Sequence, residues 1–377
     1  MKSSRNLALV PLCVLAAVFV MPGQQGGPKG TGSETVARPK KGATNAPAEE
    51  EQPKIPSKFS KPGGKEGGDS VATFSTDAVT VSVDVAVLDS RGHFIPKIPR
   101  GNFRVFEDNV PQQVTGYSLG EAPLTVALVI EFSNRFQTFY SEAWYQTLSA
   151  AYGFLGTLRP DDYLAVIAYD LRPEILSDFS TNRQDAQEAM SRLRFAGFSE
   201  ANLFDSLVFT AERMQDIEGR KAIVVMSSGI DTFSKLTFDK TRRALQEAGV
   251  PIYTFGLMQA MRIVAEGRMG PIAQLDFLQA DNQMRTFAKE TGGMSFFPRF
   301  YGEFPGIFQA ISESLRNQYV ITYTPTNQAR DGKFRKIKVD LVNPETNEPL
   351  RVVDEKSKPI KYQIVAKPGY KAPRAVE

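Results

Sequence analysis

Two stretches of the chain each join a continuous apolar run to a short polar loop, and they constrain the fold more than any other feature. The first is TVALVIEFSNR at Thr125–Arg135 and the second is AIVVMSSGIDT at Ala222–Thr232. Strands that are apolar throughout are typical of parallel sheets covered on both faces. In open sheets of this kind, ligands bind at the carboxyl ends of the strands. The two loops are therefore the first candidates for a functional site.

The region around these stretches, from about Leu124 to Arg316, alternates apolar runs with helical patterns. The apolar runs predict strands at Val126–Glu131, Tyr163–Tyr169, Glu174–Phe179, Ala222–Ser227, Ile252–Gly256 and Ser295–Pro298. Helices are predicted at Phe136–Leu155, Gln184–Leu193, Leu203–Met214, Asp239–Ala248, Asn282–Glu290 and Pro305–Leu315. Gly292 and Gly293 are predicted to end the fifth helix. Alternating strands and helices indicate an α/β fold with a doubly wound, mostly parallel sheet.

One segment of this region, Met258–Ala280, follows a predicted strand at the carboxyl edge of the sheet. Its methionines and arginines are Met258, Met261, Met269, Arg262 and Arg268. Both residue types are common at adaptable protein contacts, so the segment is a candidate contact loop. The alternatives are a variable surface excursion and a helix whose apolar face packs on the core.

Both flanks of the α/β region have the pattern of strands with one wet face. Valines at every second position from Val79 to Val87 alternate with smaller or polar residues, which is the spacing of a half-buried strand. Further short strands are predicted at Phe103–Glu107, Gln113–Tyr117, Tyr319–Tyr323, Phe334–Val342 and Tyr362–Ala366. Either flank alone has too few strands to bury a stable hydrophobic core. We therefore expect residues 71–121 and 317–377 to form one small β-sandwich, with the α/β domain at 122–316 inserted between them.

The first 70 residues have the pattern of an export segment followed by a tether. Lys2 and Arg5 precede an apolar run from Leu7 to Met21, which is shorter than the roughly 20 residues of a comfortable membrane span. We expect residues 1–21 to be a signal peptide, with an uncleaved signal anchor as the alternative that would tether the protein to a membrane. Residues 22–70 are rich in glycine and proline, which predicts a disordered linker. The expected location is extracytoplasmic in a bacterium: periplasmic, cell-surface or secreted.

Composition argues against several classes of function. A net charge of +3 in 377 residues makes nucleic acid an unexpected partner. With one histidine, His93, and one cysteine, Cys13, the chain cannot assemble a histidine-based triad or a zinc cluster. The acid pair Asp161 and Asp162 is predicted to be a turn before a strand, not a general acid. No phosphate-binding glycine loop opens a helix after the first strand. We therefore expect no enzymatic activity.

The loop sequences of the α/β region resemble a known family. EFSNR at Glu131–Arg135, SEANLFDSL at Ser199–Leu207 and MSSGIDT at Met226–Thr232 follow one another as in a von Willebrand factor type A domain. The stretches at Ala288–Arg299 and Arg316–Leu341 are similar to type A-related proteins of Acidobacteria, whose exported members place this domain between β-rich flanks. The resemblance covers about residues 79–373. It implies binding of a protein partner, in adhesion or as a scaffold.

Type A domains often hold Mg²⁺ or Mn²⁺ in a metal-ion-dependent adhesion site, which uses an Asp-x-Ser-x-Ser turn, a threonine and a second aspartate. By this resemblance the metal-site positions fall on Glu131, Ser133, Arg135, Ala201 or Asn202, and Ser228. Only Ser133 keeps its residue type, and Arg135 would place a second cation beside the ion. We therefore expect a degenerate site without a metal or other cofactor. Asn134, Ser227 and Asp231 complete the candidate partner-binding set.

Two alternatives stay open for these loops. A rearranged cation site would recruit ligands from among Glu131, Ser133, Glu200, Asp205 and Asp231, which would make the protein a divalent-metal-dependent adhesin or envelope assembly factor with an atypical site. In the other alternative Arg135 replaces the cation. Its guanidinium would then pair with Glu131 at rest, or with an acidic group of the partner.

Overall fold

A computed structural model of the chain describes residues 79–90, 92–119, 123–139, 141–265, 270–353 and 357–374. All of these lie in one compact unit, Lys54–Glu377. The predicted export segment and linker lie outside the described residues. Among the residues that are described, no helix has both the length and the apolar character needed to cross a membrane.

The described residues form strands and helices that are numbered in chain order. The strands are β1 Val81–Asp89, β2 Phe103–Glu107, β3 Val110–Gln112, β4 Val114–Leu119, β5 Leu124–Glu131, β6 Tyr163–Tyr169, β7 Pro173–Ser180, β8 Arg220–Ser227, β9 Ile252–Gly256, β10 Ser295–Phe296, β11 Tyr319–Tyr323, β12 Phe334–Leu341, β13 Val352–Val353, β14 Pro359–Ile360, β15 Tyr362–Ala366 and β16 Gly369–Lys371. The helices are α1 Asn134–Phe139, α2 Ser141–Leu155, α3 Arg183–Ser191, α4 Leu203–Met214, α5 Phe238–Ala248, α6 Met258–Ala265, α7 Pro271–Thr291 and α8 Phe304–Arg316.

The central sheet has the strand order β10-β9-β8-β5-β6-β7. Its strands run parallel except β7, which pairs with β6 antiparallel. Every residue of β5 is buried, because one hydrophobic cluster covers each face of the sheet. The predicted doubly wound, mostly parallel sheet is confirmed.

The two flanks of the chain form a pair of four-stranded sheets, β15-β1-β11-β4 and β16-β12-β2-β3. Each sheet takes strands from both ends of the described chain, as predicted. The inward valines of β1 share one hydrophobic cluster with residues of β2, β11 and β12. At the end of α7, Gly292 adopts φ +84°, and a Cβ there would lie 2.6 Å from the backbone nitrogen of Lys367. Glycine is therefore required both by the helix end and by the close approach of the flank.

The helical prediction was wrong in one place. The helix predicted at Asn282–Glu290 begins at Pro271, because proline is well suited to the first helical position and an apolar stripe continues through Phe277 and Ala280. The described part of the candidate contact loop at Met258–Ala280 is thus largely helical, and it packs on the core only in part, since Ile272, Leu275 and Leu278 are exposed. Met258 is buried. The helix predicted at Phe136–Leu155 corresponds to α1 and α2, and residue 140 between them lies outside the described residues.

Asp162, predicted only as a turn residue, holds the amino end of the central sheet together. Its fully buried carboxylate accepts hydrogen bonds from the backbone N–H groups of Leu124 at 3.0 Å and Arg159 at 2.7 Å. The guanidinium of Arg316, at the end of α8, donates to it at 2.5 Å. Burial raises the pKa of Asp162, but the hydrogen bonds from Arg316 and the two backbone groups outweigh burial, so the net shift of the pKa is downward.

Candidate functional site

The candidate residues meet at the carboxyl edge of the sheet because β5 and β8 are parallel neighbours in register. Ile130 pairs with Met226, so Glu131 and Ser227, one residue further along each strand, end side by side. The loop after β5 supplies Ser133, and the loop after β8 supplies Ser228. Sheet pairing therefore brings two short loops together although Glu131 and Ser227 are 96 positions apart in the chain.

The Glu131 carboxylate lies at the centre of a closed hydrogen-bonded cluster. Only 2% of the residue is exposed. The Ser133 hydroxyl donates to Oε1 at 3.0 Å. The other oxygen, Oε2, accepts from the Ser227 hydroxyl at 2.9 Å, the Ser228 N–H at 2.7 Å and the Ser228 hydroxyl at 2.8 Å. The carboxylate is thus held by serine donors from two loops.

The hydroxyl of Ser227 has no remaining hydrogen-bonding capacity. It donates to Glu131 and accepts from the Tyr169 hydroxyl and the Gly229 N–H, each at 2.8 Å. One donor and two acceptor positions are all that a serine hydroxyl offers. Burial, followed by the nearby charge of Glu131, raises the pKa of Tyr169 well above its ordinary value. Tyr169 therefore stays protonated and acts as a donor to Ser227.

Ser133 joins the cluster to the helix that follows it. Besides donating to Glu131, its hydroxyl accepts the backbone N–H of Phe136 at 3.2 Å, which is the geometry of a helix N-cap. Asn134 and Arg135 form the first turn of this helix, α1. The sequence order strand, Glu131, capping serine, helix therefore fixes where Arg135 lies.

The pKa of Glu131 is raised by burial, and the hydrogen bonds from Ser228, Ser227 and Ser133 offset this only in part. The cluster contains no histidine, lysine or cysteine that would activate a serine as a nucleophile. Its hydroxyls are used to bind the carboxylate. The arrangement is therefore suited to holding loops in place.

The loop before α4, where a threonine of the adhesion site would lie, is fixed by backbone pairing. The Ala201 N–H donates to the Thr232 hydroxyl at 2.8 Å, and the Thr232 N–H donates to the Ala201 carbonyl at 2.9 Å. The Asn202 side chain donates to the Leu171 carbonyl at 2.7 Å. Both Ala201 and Asn202 are buried, so this loop serves as a support for the edge.

The acids Asp231 and Asp205 also bind loop groups. Asp231 accepts the N–H of Phe204 at 3.1 Å and the hydroxyl of Ser234 at 2.6 Å, and burial raises its pKa. Asp205 accepts the backbone N–H groups of residues 235 and 236. Within the described ranges, no group of three or more His, Cys, Asp or Glu side chains is placed to hold a metal ion.

Arg135 is exposed and lines a cavity of about 10 Å³ together with Glu131 and Ser133. That volume is at the lower limit for one water molecule. In the part of the chain that the structure describes, no ion pair joins Arg135 to Glu131, so the predicted pairing at rest is absent. The physical reason is that the serines already occupy the carboxylate. A cationic side chain at one wall, beside a carboxylate that already accepts four serine hydrogen bonds, is a poor fit for a divalent ion.

A larger cavity, about 680 Å³, lies at the opposite, amino edge of the central sheet against the β-sandwich. Asp84, Arg220 and Lys367 are among its lining residues. Burial raises the pKa of Asp84, and the charges of Lys367 and Arg220 offset this in part. The cavity contains none of the predicted site residues.

Some residues on both sides of the candidate site were not predicted from the sequence. Tyr169 ends β6, the strand next to β5, and its place at the end of a predicted strand was the sequence signal that could have identified it. Three exposed phenylalanines were also missed, with exposed fractions of 89% for Phe195, 51% for Phe198 and 64% for Phe233. Aromatic residues in a short loop that contains glycine were the signal for the first two.

Comparison with known protein families gives a match to the α/β region. The model of the von Willebrand factor type A domain matches residues 126–308. No curated protein matches the chain. Among solved structures, the chain is similar to the vWF domain of the type V pili tip protein Mfa5 from Porphyromonas gingivalis, with 12% identity, 52% of this chain and 97% of that chain covered, and a TM-score of 0.40.

Two further structures are similar to parts of the chain. Von Willebrand factor type A from Catenulispora acidiphila has 10% identity, with 78% of this chain and 75% of that chain covered and a TM-score of 0.39. Proximal thread matrix protein 1 from the mussel byssus has 12% identity, with 56% of this chain and 51% of that chain covered and a TM-score of 0.41. The chain spans about half the length of the mussel protein.

Proposed function

Because residues 126–308 of this chain form a von Willebrand factor type A domain, we propose that the protein is a non-enzymatic module that binds a protein partner. Domains of this family are generally interaction modules. In the proposal, the carboxyl edge of the central sheet contacts the partner, in adhesion or as a scaffold, and no divalent cation takes part. The observation that carries it is the Glu131 carboxylate, whose oxygens already accept four serine hydrogen bonds.

Arg135 supplies the attraction that a metal ion would otherwise provide. Its guanidinium is exposed at the wall of the small cavity, and it makes no ion pair with a described residue. A planar guanidinium binds a carboxylate through two parallel hydrogen bonds. The proposed partner therefore presents an acidic side chain or a chain terminus to Arg135.

The proposal places this module outside the cytoplasm. What supports it is the sequence: the apolar run at residues 7–21 behind Lys2 and Arg5, and the following glycine- and proline-rich segment. An exported module on a flexible tether would present its carboxyl edge to other envelope or extracellular proteins. The supporting residues lie outside the part that the structure describes.

The competing function, a divalent-metal-dependent adhesin, differs in its response to cations. We expect the melting temperature of the full chain to be the same in EDTA and in excess Mg²⁺, Mn²⁺ or Ca²⁺, because serines already bind both oxygens of Glu131 and Arg135 lines the same cavity. At a free cation concentration of 100 times the dissociation constant, a metal site would add about 2.7 kcal/mol of stability. For a domain of this size, each kcal/mol raises the melting temperature by about 2–4 °C. A shift of that size that Glu131→Gln removes would establish the metal-dependent alternative.

Recognition of a carboxylate by Arg135 can be tested with a displayed library of random dodecapeptides selected on the immobilised full chain in EDTA. We expect the recovered peptides to be enriched in Asp and Glu over the starting library. On Arg135→Ala the acidic enrichment should disappear, with individual peptides bound at least about tenfold more weakly, because a desolvated charge-assisted pair is lost. The matched control is Arg299→Ala, an exposed arginine after the edge strand β10. Peptide binding that requires Mg²⁺, or acidic enrichment that is unchanged on Arg135→Ala, would contradict the proposal.

A further inference from the structure

We propose that the partner segment carries large apolar side chains next to its carboxylate, and that Phe195, Phe198 and Phe233 bind them as an aromatic rim around Arg135. This inference rests on the proposed function and specifies the chemistry of the partner. The aromatic rim is defined as these three side chains. It makes the carboxyl edge a composite surface, with a central cation and apolar contacts on both sides.

Two residues of the aromatic rim are joined in the chain to residues that line the cavity of Arg135. Ser199, which follows Phe198, and Thr232, which precedes Phe233, both line that cavity with Arg135. Phe198 and Phe233 are therefore each one residue along the chain from the lining of this cavity. Aromatic residues and arginine are the types most enriched at protein interfaces, where they supply the strongest contacts.

The loop that carries Phe195 and Phe198 is fixed to α1 by hydrogen bonds. The Gln137 side chain donates to the carbonyl of residue 194 at 2.6 Å and accepts the Ala196 N–H at 3.0 Å. The Asn134 N–H donates to the Phe198 carbonyl at 2.6 Å. Ala196 itself is buried. The backbone is therefore anchored while both rings are exposed to solvent, and a prearranged apolar surface loses less entropy when it binds.

The other side of the rim is held in the same way. The two hydrogen bonds between Thr232 and Ala201 fix the chain directly before Phe233. Directly after it, the hydroxyl and N–H of Ser234 both donate to Asp231. The Phe233 ring stays 64% exposed between these two anchored residues.

Two acids close to the rim are already engaged by loop groups. Asp231 and Asp205 direct their oxygens to backbone N–H groups of the neighbouring loops, so neither is paired with Arg135. An exposed ion pair by itself contributes little to binding. Burial of the phenylalanine rings by apolar side chains of the partner would add to the affinity, and it would also shield the pair between Arg135 and the carboxylate from water.

The test extends the dodecapeptide selection to rim variants of the full chain. We expect peptides selected on the wild type to place Leu, Ile, Met, Phe or Trp beside the acidic residue. On Phe195→Ala/Phe198→Ala, and on Phe233→Ala, acidic enrichment should persist while the apolar neighbours fall to library frequency. Individual wild-type peptides should bind these variants at least about tenfold more weakly by fluorescence polarisation. Phe209→Ala, at an exposed ring on α4, is the matched control.

The two hypotheses fail differently in this experiment. Apolar neighbours that persist on the rim variants would overturn the aromatic rim and leave the role of Arg135 standing. Peptides without acidic enrichment on the wild type would overturn the proposed function, and the rim with it. Because all three phenylalanines are exposed, circular dichroism and melting of the variants should match the wild type, and this separates lost binding from lost folding.

Discussion

Glu131→Ala is expected to lower the free energy of unfolding by about 3–5 kcal/mol, because it removes the acceptor at the centre of a buried cluster. The hydroxyls of Ser227 and Ser228 and the Ser228 N–H all donate to one oxygen of this carboxylate. Alanine would leave these donors in a site that is closed to solvent, and the missing side chain would add a small cavity. Chemical denaturation at neutral pH measures the difference.

The matched control is Glu212→Ala, an exposed glutamate on α4, which should change stability by no more than about 0.5 kcal/mol. A loss below about 1 kcal/mol for Glu131→Ala would mean that the serines find other partners, and that the cluster does not hold the two loops together.

Glu131→Gln keeps the shape of the side chain and tests the charge. Burial raises the pKa of Glu131 above its ordinary value despite the serine hydrogen bonds. The stability contributed by protonated Glu131 is fully present at pH values below about 4.3, the pKa of glutamate in the unfolded chain. It is lost as the pH rises through the pKa of Glu131 in the folded protein. We expect the glutamine variant to match the wild type near pH 4 and to exceed it at pH 7. A glutamine variant that is less stable at pH 7 would show that the serines hold the carboxylate ionised.

Asp162→Ala is expected to lower the free energy of unfolding by about 3–5 kcal/mol, because it leaves the charge of Arg316 without its partner in a site that is nearly closed to solvent. The Arg316 side chain is only 14% exposed. The N–H groups of Leu124 and Arg159 lose their acceptor as well. The start of β5, the turn before β6 and the end of α8 would then be less tightly joined. Equilibrium unfolding in urea measures the loss.

The neighbouring Asp161 provides a control, because it is exposed. The free energy of unfolding of Asp161→Ala should lie within about 0.5 kcal/mol of that of the wild type. The pKa of Asp162 is lowered, so its contribution is present above the unfolded pKa of about 3.9 and is lost as pH falls through the folded pKa. The deficit of Asp162→Ala should therefore shrink in acid. Equal effects of the two alanine substitutions at neutral pH would contradict the assignment.

Much of the fold could be predicted because its signals are local. The apolar runs that end at Glu131 and Ser227 indicate by themselves that β5 and β8 are buried on both faces. The alternating valines of β1 likewise indicate which face of the sandwich is covered. Helix boundaries were less certain. The start of α7 at Pro271 depends on apolar residues that pack only once the sheet exists.

The candidate site was predicted as a place and a set of residues, but its bonding was not. The sequence puts Glu131, Ser133 and Ser228 in loops at one edge, and it shows that Arg135 stands where a metal ligand would be. It does not show that four serine hydrogen bonds converge on Glu131, or that Tyr169 donates to Ser227 across 58 residues of chain. Nor does it distinguish the exposed Phe195 from the buried Phe204, since both are single aromatic residues near the loop between α3 and α4.

The sequence by itself determined the α/β sheet, the flanking strands and the edge at which the polar loops gather, because hydrophobic periodicity is a property of neighbouring residues. Only the tertiary structure decided that Asp162 anchors Arg316 from 154 positions away, that Arg135 is unpaired with Glu131, and that three phenylalanines in the loops of this edge stay exposed. These outcomes depend on which groups distant parts of the chain bring within hydrogen-bonding distance, and on which rings the folded core leaves uncovered.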